Sequence, residues 1–267
     1  MAALIDLRGE WVLVTGASSG LGYAMSHVVA KEYGGNLVLV ARREERLEAL
    51  AEELRSRHGV EAVYCVADLR NPQEVERAYL ESISGRSLRA AILNAGMTYY
   101  GKHLEIEREI SETILATNVS SIVRLTSLLV GYFGQRPGGG GLMLISSLAS
   151  FLPLSYQALY GASKAFVTSF GLSLREEIRG SNVSITVFAP GGIATEMLEY
   201  SGLDKRFNRD GVWVMAAERC AKIAVRGLVR RKPLVIPGTL NKLVYAIISA
   251  APRSLATRVA AMLYRVK

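Results

Sequence analysis

The chain has 267 residues, half of them hydrophobic, enough to bury a large single core. Its two cysteines, Cys65 and Cys220, exclude a disulfide framework and a metal-ligand cluster, so no metal is expected and a reducing compartment is. The net charge of +8 is uneven: 11 of the 32 Lys and Arg lie between Arg219 and Lys267 with no acid among them, which leaves 21 bases against 24 acids in a near-neutral body.

The opening "MAALIDLRGEWVLVTG" carries Asp6 and no basic region before its apolar run, which argues against a secretory signal. No apolar run suggests a bilayer span, so the expected setting is the cytoplasm. Short β-branched runs then alternate with helical patterns. "WVLVTG" precedes a helix to about Tyr33, and "NLVLVA" precedes the charged "RREERLEALAEELRSR". "AVYCVAD" is followed by "NPQEVERAYLES", and "RAAILNAG" leads through a loop to a long helix ending near Phe133. "RPGGGG" (Arg136 to Gly141) reads as an exposed turn before a fifth strand, "GLMLISS". A further helix, then "VSITVFAPGG", complete the pattern. Near-continuous apolar strands have both faces covered. Repeated βα units predict an α/β fold, a Rossmann-type doubly wound parallel sheet of about seven strands flanked by helices.

"TGASSGLG" (Thr15 to Gly22) sits between the first strand and first helix. Glycines there let a backbone approach a pyrophosphate while the helix N-terminus supplies N–H donors. The loop elements Gly16, Ser18, Ser19, Gly20, Leu21 and Gly22 are therefore candidate cofactor residues. No G-K-[ST] follows, so ATP is not the expected ligand. The same residues also spell G-x-S-x-G, a nucleophile elbow. A hydrolase then needs a late histidine, and His27, His58 and His103 leave the final 164 residues without one. The second strand ends in "ARREE"; Arg42 and Arg43 stand where an acidic residue would bind a ribose 2′-hydroxyl, which favours NADP(H) over NAD(H).

In order, "TGASSGLG", "NAG" (Asn94, Ala95, Gly96), Asn118, Ser147, Tyr160 with Lys164, and "PGGIAT" (Pro190 to Thr195) make the chain resemble the short-chain dehydrogenase/reductases over nearly its whole length. The resemblance implies a catalytic set of Asn118, Ser147, Tyr160 and Lys164. Residues four apart on a helix share a face, so the Lys164 cation is expected to lower the Tyr160 phenol toward working pH. Tyr160 then exchanges a proton with the substrate oxygen. By resemblance, Lys164 also holds the nicotinamide ribose, Ser147 orients the substrate oxygen, and Asn118 holds a water in a relay to Lys164. Asn94, Ala95 and Gly96 line the cofactor groove, Asp68 and Leu69 lie near the adenine, and Pro190, Gly191, Ile193 and Thr195 meet the nicotinamide end.

Large apolar residues between Gly192 and Met215 (Met197, Leu198, Tyr200, Phe207, Val212, Trp213, Val214) suggest a lid for a lipophilic carbonyl or alcohol. Residues 1–238 form the expected nucleotide-binding domain, and 239–267 a basic amphipathic helical extension. Leu240, Leu243, Val244, Ile247, Ile248 and Ala251 make one stripe, and Leu255, Val259, Met262, Leu263 and Val266 another. The extension fits an anionic membrane surface, packing on the core or another subunit, or an acidic carrier. No nucleic-acid module accompanies the charge. The sequence thus predicts an NADP(H)-dependent oxidoreductase interconverting a hydrophobic ketone or aldehyde and its alcohol. Alternatives are a 3-oxoacyl thioester reductase and a non-catalytic nucleotide sensor or scaffold. By analogy with the family it forms a homodimer or homotetramer through the two long helices.

Overall fold

The structure, a computed structural model, describes residues 3–197, 201, 211 and 214–264. Seven parallel strands form one sheet in the order β3-β2-β1-β4-β5-β6-β9. They are β1 (Trp11–Thr15), β2 (Asn36–Ala41), β3 (Ala62–Val66), β4 (Leu88–Leu93), β5 (Gly140–Ile145), β6 (Val183–Phe188) and β9 (Leu234–Val235). A two-stranded ribbon, β7 (Gly192–Ala194) with β8 (Val214–Ala216), stands outside it. The helices are α1 (Gly20–Tyr33), α2 (Glu44–His58), α3 (Pro72–Ile83), α4 (Arg108–Leu115), α5 (Ser121–Gln135), α6 (Ala158–Glu177), α7 (Ala217–Val229), α8 (Thr239–Ala250) and α9 (Arg253–Tyr264). This is the single-domain, doubly wound sheet that the βα alternation predicts.

Strand β2 shows why the sheet is covered twice. All six of its residues are buried. Leu37 and Leu39 join the cluster containing Met25, Leu47 and Leu228; Val38 and Val40 join the opposite cluster with Leu129, Phe133 and Val167. With side chains alternating at period two, a strand that serves both faces is apolar nearly throughout, and here only Asn36 at its start is polar.

Two sequence expectations change. The described residues do include one helical stretch, Arg108–Gln135, apolar and long enough to cross a membrane. In the fold one face of its second half is core: Leu125, Leu129 and Phe133 are buried in the cluster beneath the sheet. The "RPGGGG" stretch is only half a turn. Gly138 and Gly139 take positive φ, whereas Gly140 and Gly141 are buried β5 residues. A Cβ on Gly140 would lie 2.2 Å from the Phe133 ring, so the glycine is the recess that receives that ring.

Candidate active site

From β1 the chain winds outward to β3, then returns so that β4 lies beside β1. Such a reversal opens a crevice at the strand C-termini. Its two walls are stitched by Asn94 and Thr15. Thr15 Oγ1 accepts the N–H groups of Asn94 (2.9 Å) and Ala95 (3.0 Å), and Asn94 Nδ2 donates to the carbonyls of Thr15 (3.0 Å) and Gly16 (3.2 Å). Asn94 thus fixes the glycine loop from behind. Gly22 packs on the loop so closely that a Cβ would lie 2.2 Å from the Gly16 carbonyl oxygen.

The loop fits a pyrophosphate. Ser19 at the N-cap of α1 makes no side-chain cap and the first turn holds no acid, so the cap offers no side-chain acceptor to the first-turn N–H groups. Arg43 covers the loop from the β2 side. Its Nη2 donates to Ser18 Oγ (3.1 Å) and Ser19 Oγ (2.7 Å), and its Nε to Ser18 Oγ (3.2 Å). Arg42 is exposed on the rim. Asp68 follows β3 and lines the cleft, its carboxylate held by Arg70 Nε (2.8 Å) and Nη2 (2.6 Å), which keeps it below the usual carboxylate range.

Ser147 and Tyr160 approach from β5 and α6. Ser147 lies two residues past β5 and accepts the Ala149 N–H (3.2 Å), starting a short 3₁₀ turn. Tyr160 lies in the first turn of α6, whose Leu159 N–H donates to Tyr99 Oη (3.1 Å). Lys164, one turn on, is buried; its Nζ donates to the Ile145 carbonyl (2.9 Å) and lies 5.9 Å from the Tyr160 ring centroid. Burial pushes Lys164 down to about 8. Burial also raises the Tyr160 phenol, against a smaller opposing effect of its Ser147 hydrogen bond. The expectation that Lys164 lowers the phenol is therefore corrected in this structure. Burial of the phenol sets the direction of the shift, and Lys164 is not among its causes.

Asn118 sits in a π-helical turn, Ala116–Ser120, between α4 and α5. Its amide accepts the Met97 N–H (2.9 Å) and donates to the Met97 carbonyl (2.9 Å) and Ser163 Oγ (3.1 Å). Both side-chain N–H donors are thus taken by protein.

The cleft encloses about 1340 Å³. Its lining brings together every expected cofactor and catalytic residue except Gly22 and Asn118, both buried behind it. Met197 and Val214 of the expected lid line it too; Leu198, Tyr200, Phe207, Val212 and Trp213 lie outside the described residues. The outer wall comes from α8 and α9 through Val244, Ile247, Ile248 and Val259. Helix α8 docks through Asn241, whose Nδ2 donates to the Pro237 carbonyl (2.8 Å) and lies 2.9 Å from where a Gly191 Cβ would be. Phe151 and Tyr245 pack edge-to-face beside it at 4.6 Å. The only sign of Asn241 in the sequence is one amide inside an apolar helix. Gln157 is likewise new: it is buried and donates to Thr98 Oγ1 (3.0 Å) and the Tyr99 carbonyl (3.1 Å).

The hydrolase alternative has no triad here. Ser18 accepts from Arg43, His27 and His58 face each other at 3.1 Å on α1 and α2, and His103 lies in a separate 3₁₀ turn. A doubly wound sheet, a glycine loop at its switch point and a Ser-Tyr-Lys cluster in one cleft define a nicotinamide-dinucleotide oxidoreductase. Residues 10–206 match the family described as short chain dehydrogenase. The chain is 31% identical over 251 residues to an 11-beta-hydroxysteroid dehydrogenase-like 2 of Arabidopsis thaliana, covering 92% of this chain and 79% of that one. It is 30% identical over 204 residues to a very-long-chain 3-oxoacyl-CoA reductase of Anas platyrhynchos, covering 75% of this chain and 65% of that protein's length, just under two thirds. A short-chain dehydrogenase from Sphingobium yanoikuyae in complex with NADPH superposes with a TM-score of 0.79 at 29% identity, over 92% of this chain and 97% of that one. The chain belongs to the short-chain dehydrogenase family, oxidoreductases that act on CH–OH groups with a nicotinamide nucleotide.

Proposed function

We propose that this chain interconverts a lipophilic ketone or aldehyde and its alcohol, with NADP(H) favoured over NAD(H). The observation that carries the reading is the union, in one cleft, of Ser147, Tyr160 and Lys164 with an apolar outer wall from α8 and α9. A bound nicotinamide supplies or accepts the hydride. Ser147 orients the substrate oxygen, and Tyr160, a phenol that holds its proton at neutral pH, gives that oxygen a proton during reduction. Lys164 holds the nicotinamide ribose at the floor of the cleft. Arg43, already aimed across Ser18 and Ser19, supports the 2′-phosphate preference.

The apolar character continues outward. Leu243, Ile247, Val259 and Met262 of α8 and α9 are exposed, and Ile247 and Val259 also line the cleft. With Lys242 and Arg258 on the same helices, this supports a peripheral contact with anionic lipid, from which an apolar substrate enters directly. The lipid-facing setting is then the cytoplasmic side of a membrane. Exposed Leu115 and Phe166, on α4 and α6, support a homo-oligomer through those helices.

A 3-oxoacyl thioester reductase is the second reading, favoured by the acid-free basic C-terminal end and the 3-oxoacyl-CoA reductase relative. Turnover of free lipophilic ketones against acyl thioesters, with NADPH and with NADH, decides between the two. Turnover of neither, with tight nucleotide binding, would establish the sensor reading instead.

A further inference from the structure

Glu196 lies two residues beyond β7, on the segment that leaves the nicotinamide end of the cleft. Its carboxylate reaches the opposite, ribose end, where it bridges two arginines of the α2 start. Oε2 lies 3.1 Å from Arg43 Nη1, and Oε1 lies 2.6 Å from Arg46 Nη1. The other Arg43 donors go to Ser18 and Ser19. A planar carboxylate bonded to guanidinium presents the charge and oxygen geometry that a phosphate would bring. The guanidinium suited to a 2′-phosphate is thus occupied by an anion of the protein itself. The neighbouring Thr195 methyl lies 3.0 Å from where a Gly20 Cβ would be, so this segment rests directly on the glycine loop.

We infer that Glu196 sets cofactor discrimination as an internal competitor for the 2′-phosphate. This rests on the reading of Arg43 as the 2′-phosphate site. NADPH displaces the carboxylate from Arg43, whereas NADH leaves that ion pair in place. Glu196 therefore holds the NADPH preference below what Arg43 alone would give.

The test is a fluorescence titration of the full chain with NADPH and with NADH, for wild type, Glu196→Gln, Glu196→Asp and Arg43→Ala. Glu196→Gln keeps the size and one of the two acceptor oxygens and removes the charge. It should bind NADPH about twofold to fivefold more tightly, the upper part of the range for a partly exposed ion pair, with NADH affinity essentially unchanged. Glu196→Asp, which keeps the charge, should stay closer to the wild-type ratio. An unchanged NADPH-to-NADH ratio in Glu196→Gln, or equal weakening of both nucleotides, overturns the inference, the second result marking a merely structural clamp. Arg43→Ala separates the failures. If it loses the NADPH preference beside an unmoved Glu196→Gln ratio, the competitor role alone falls; if neither variant moves the ratio, the phosphate-site reading falls with it.

Discussion

Lys164 Nζ donates to the Ile145 carbonyl at 2.9 Å, so the cation at the floor of the cleft is anchored to the end of β5 and not to a carboxylate. A buried ammonium without an anion is costly, which is why Lys164 falls from its ordinary 10.5 to about 8. Because the folded protein binds this proton less firmly than the unfolded chain, the cost is complete below about 8 and is relieved as pH rises from there toward 10.5.

Lys164→Met should therefore raise the melting temperature of the nucleotide-free protein at pH 7, though it removes the hydrogen bond to Ile145, worth about 1 kcal/mol. The gain should shrink between about pH 8 and pH 10, where the wild-type lysine is already losing its proton. Thermal unfolding of both proteins across that range is the measurement. A gain that does not change with pH would mean that packing, and not charge, is responsible.

Tyr160→Phe keeps the ring and removes the proton donor. Carbonyl reduction should fall by about 10²–10⁴-fold, the usual worth of a positioned acid, with NADPH affinity changed little. The raised phenol also fixes the direction of pH dependence: reduction is favoured at neutral pH, and alcohol oxidation should climb on the alkaline side as the phenol ionises. Equal turnover by the variant and wild type on any carbonyl substrate would remove Tyr160 from the mechanism.

What could be read from sequence was local. The glycine loop, the Tyr160–Lys164 pair and the apolar strands each declare themselves within a few residues, because helix and strand periods are short. What could not be read depends on distant partners. Asn241 and Gln157 are ordinary polar residues until α8 packs against Gly191 and the start of α6 meets Tyr99. Glu196 follows the expected nicotinamide-end motif, but its arginines lie 153 and 150 residues away in sequence. The direction of the Tyr160 shift failed for a related reason. Spacing gives the distance to a cation, whereas desolvation depends on everything packed around the pair.

Gly22→Ala should disrupt the phosphate loop. Its Cβ would meet the Gly16 carbonyl at 2.2 Å and Asn94 Nδ2 at 2.6 Å, and the first of these is backbone that cannot swing aside. Forcing even one extra carbon into such packing costs about 1–3 kcal/mol, and moving the loop should also weaken NADPH and NADH together. Gly59→Ala is the control: it sits at φ +66 with nothing within 4 Å, so it carries backbone strain without a clash. It should lower the melting temperature modestly and leave nucleotide affinity untouched. If Gly22→Ala behaves like Gly59→Ala, the close approach of α1 to the loop is not what shapes the site.

The exposed face of α8 and α9 gives the last prediction. Leu243 and Met262 are 58% and 75% exposed, on the helices whose other residues wall the cleft. An apolar side chain inserted into a bilayer interface contributes through its buried area, and nearby lysines and arginines add attraction only where the lipid is anionic. Wild-type protein should therefore sediment with vesicles containing phosphatidylserine and much less with neutral ones, and salt should release it. Leu243→Glu with Met262→Glu replaces both contacts with charges of the lipid's own sign and should abolish sedimentation. Neither residue lines the cleft, so NADPH affinity and turnover of a soluble carbonyl substrate should hold. If sedimentation persists in the variant, this face is not what touches lipid. If wild type fails to sediment while Leu243→Glu disrupts an oligomer seen by light scattering, the face is an interface between copies of the chain.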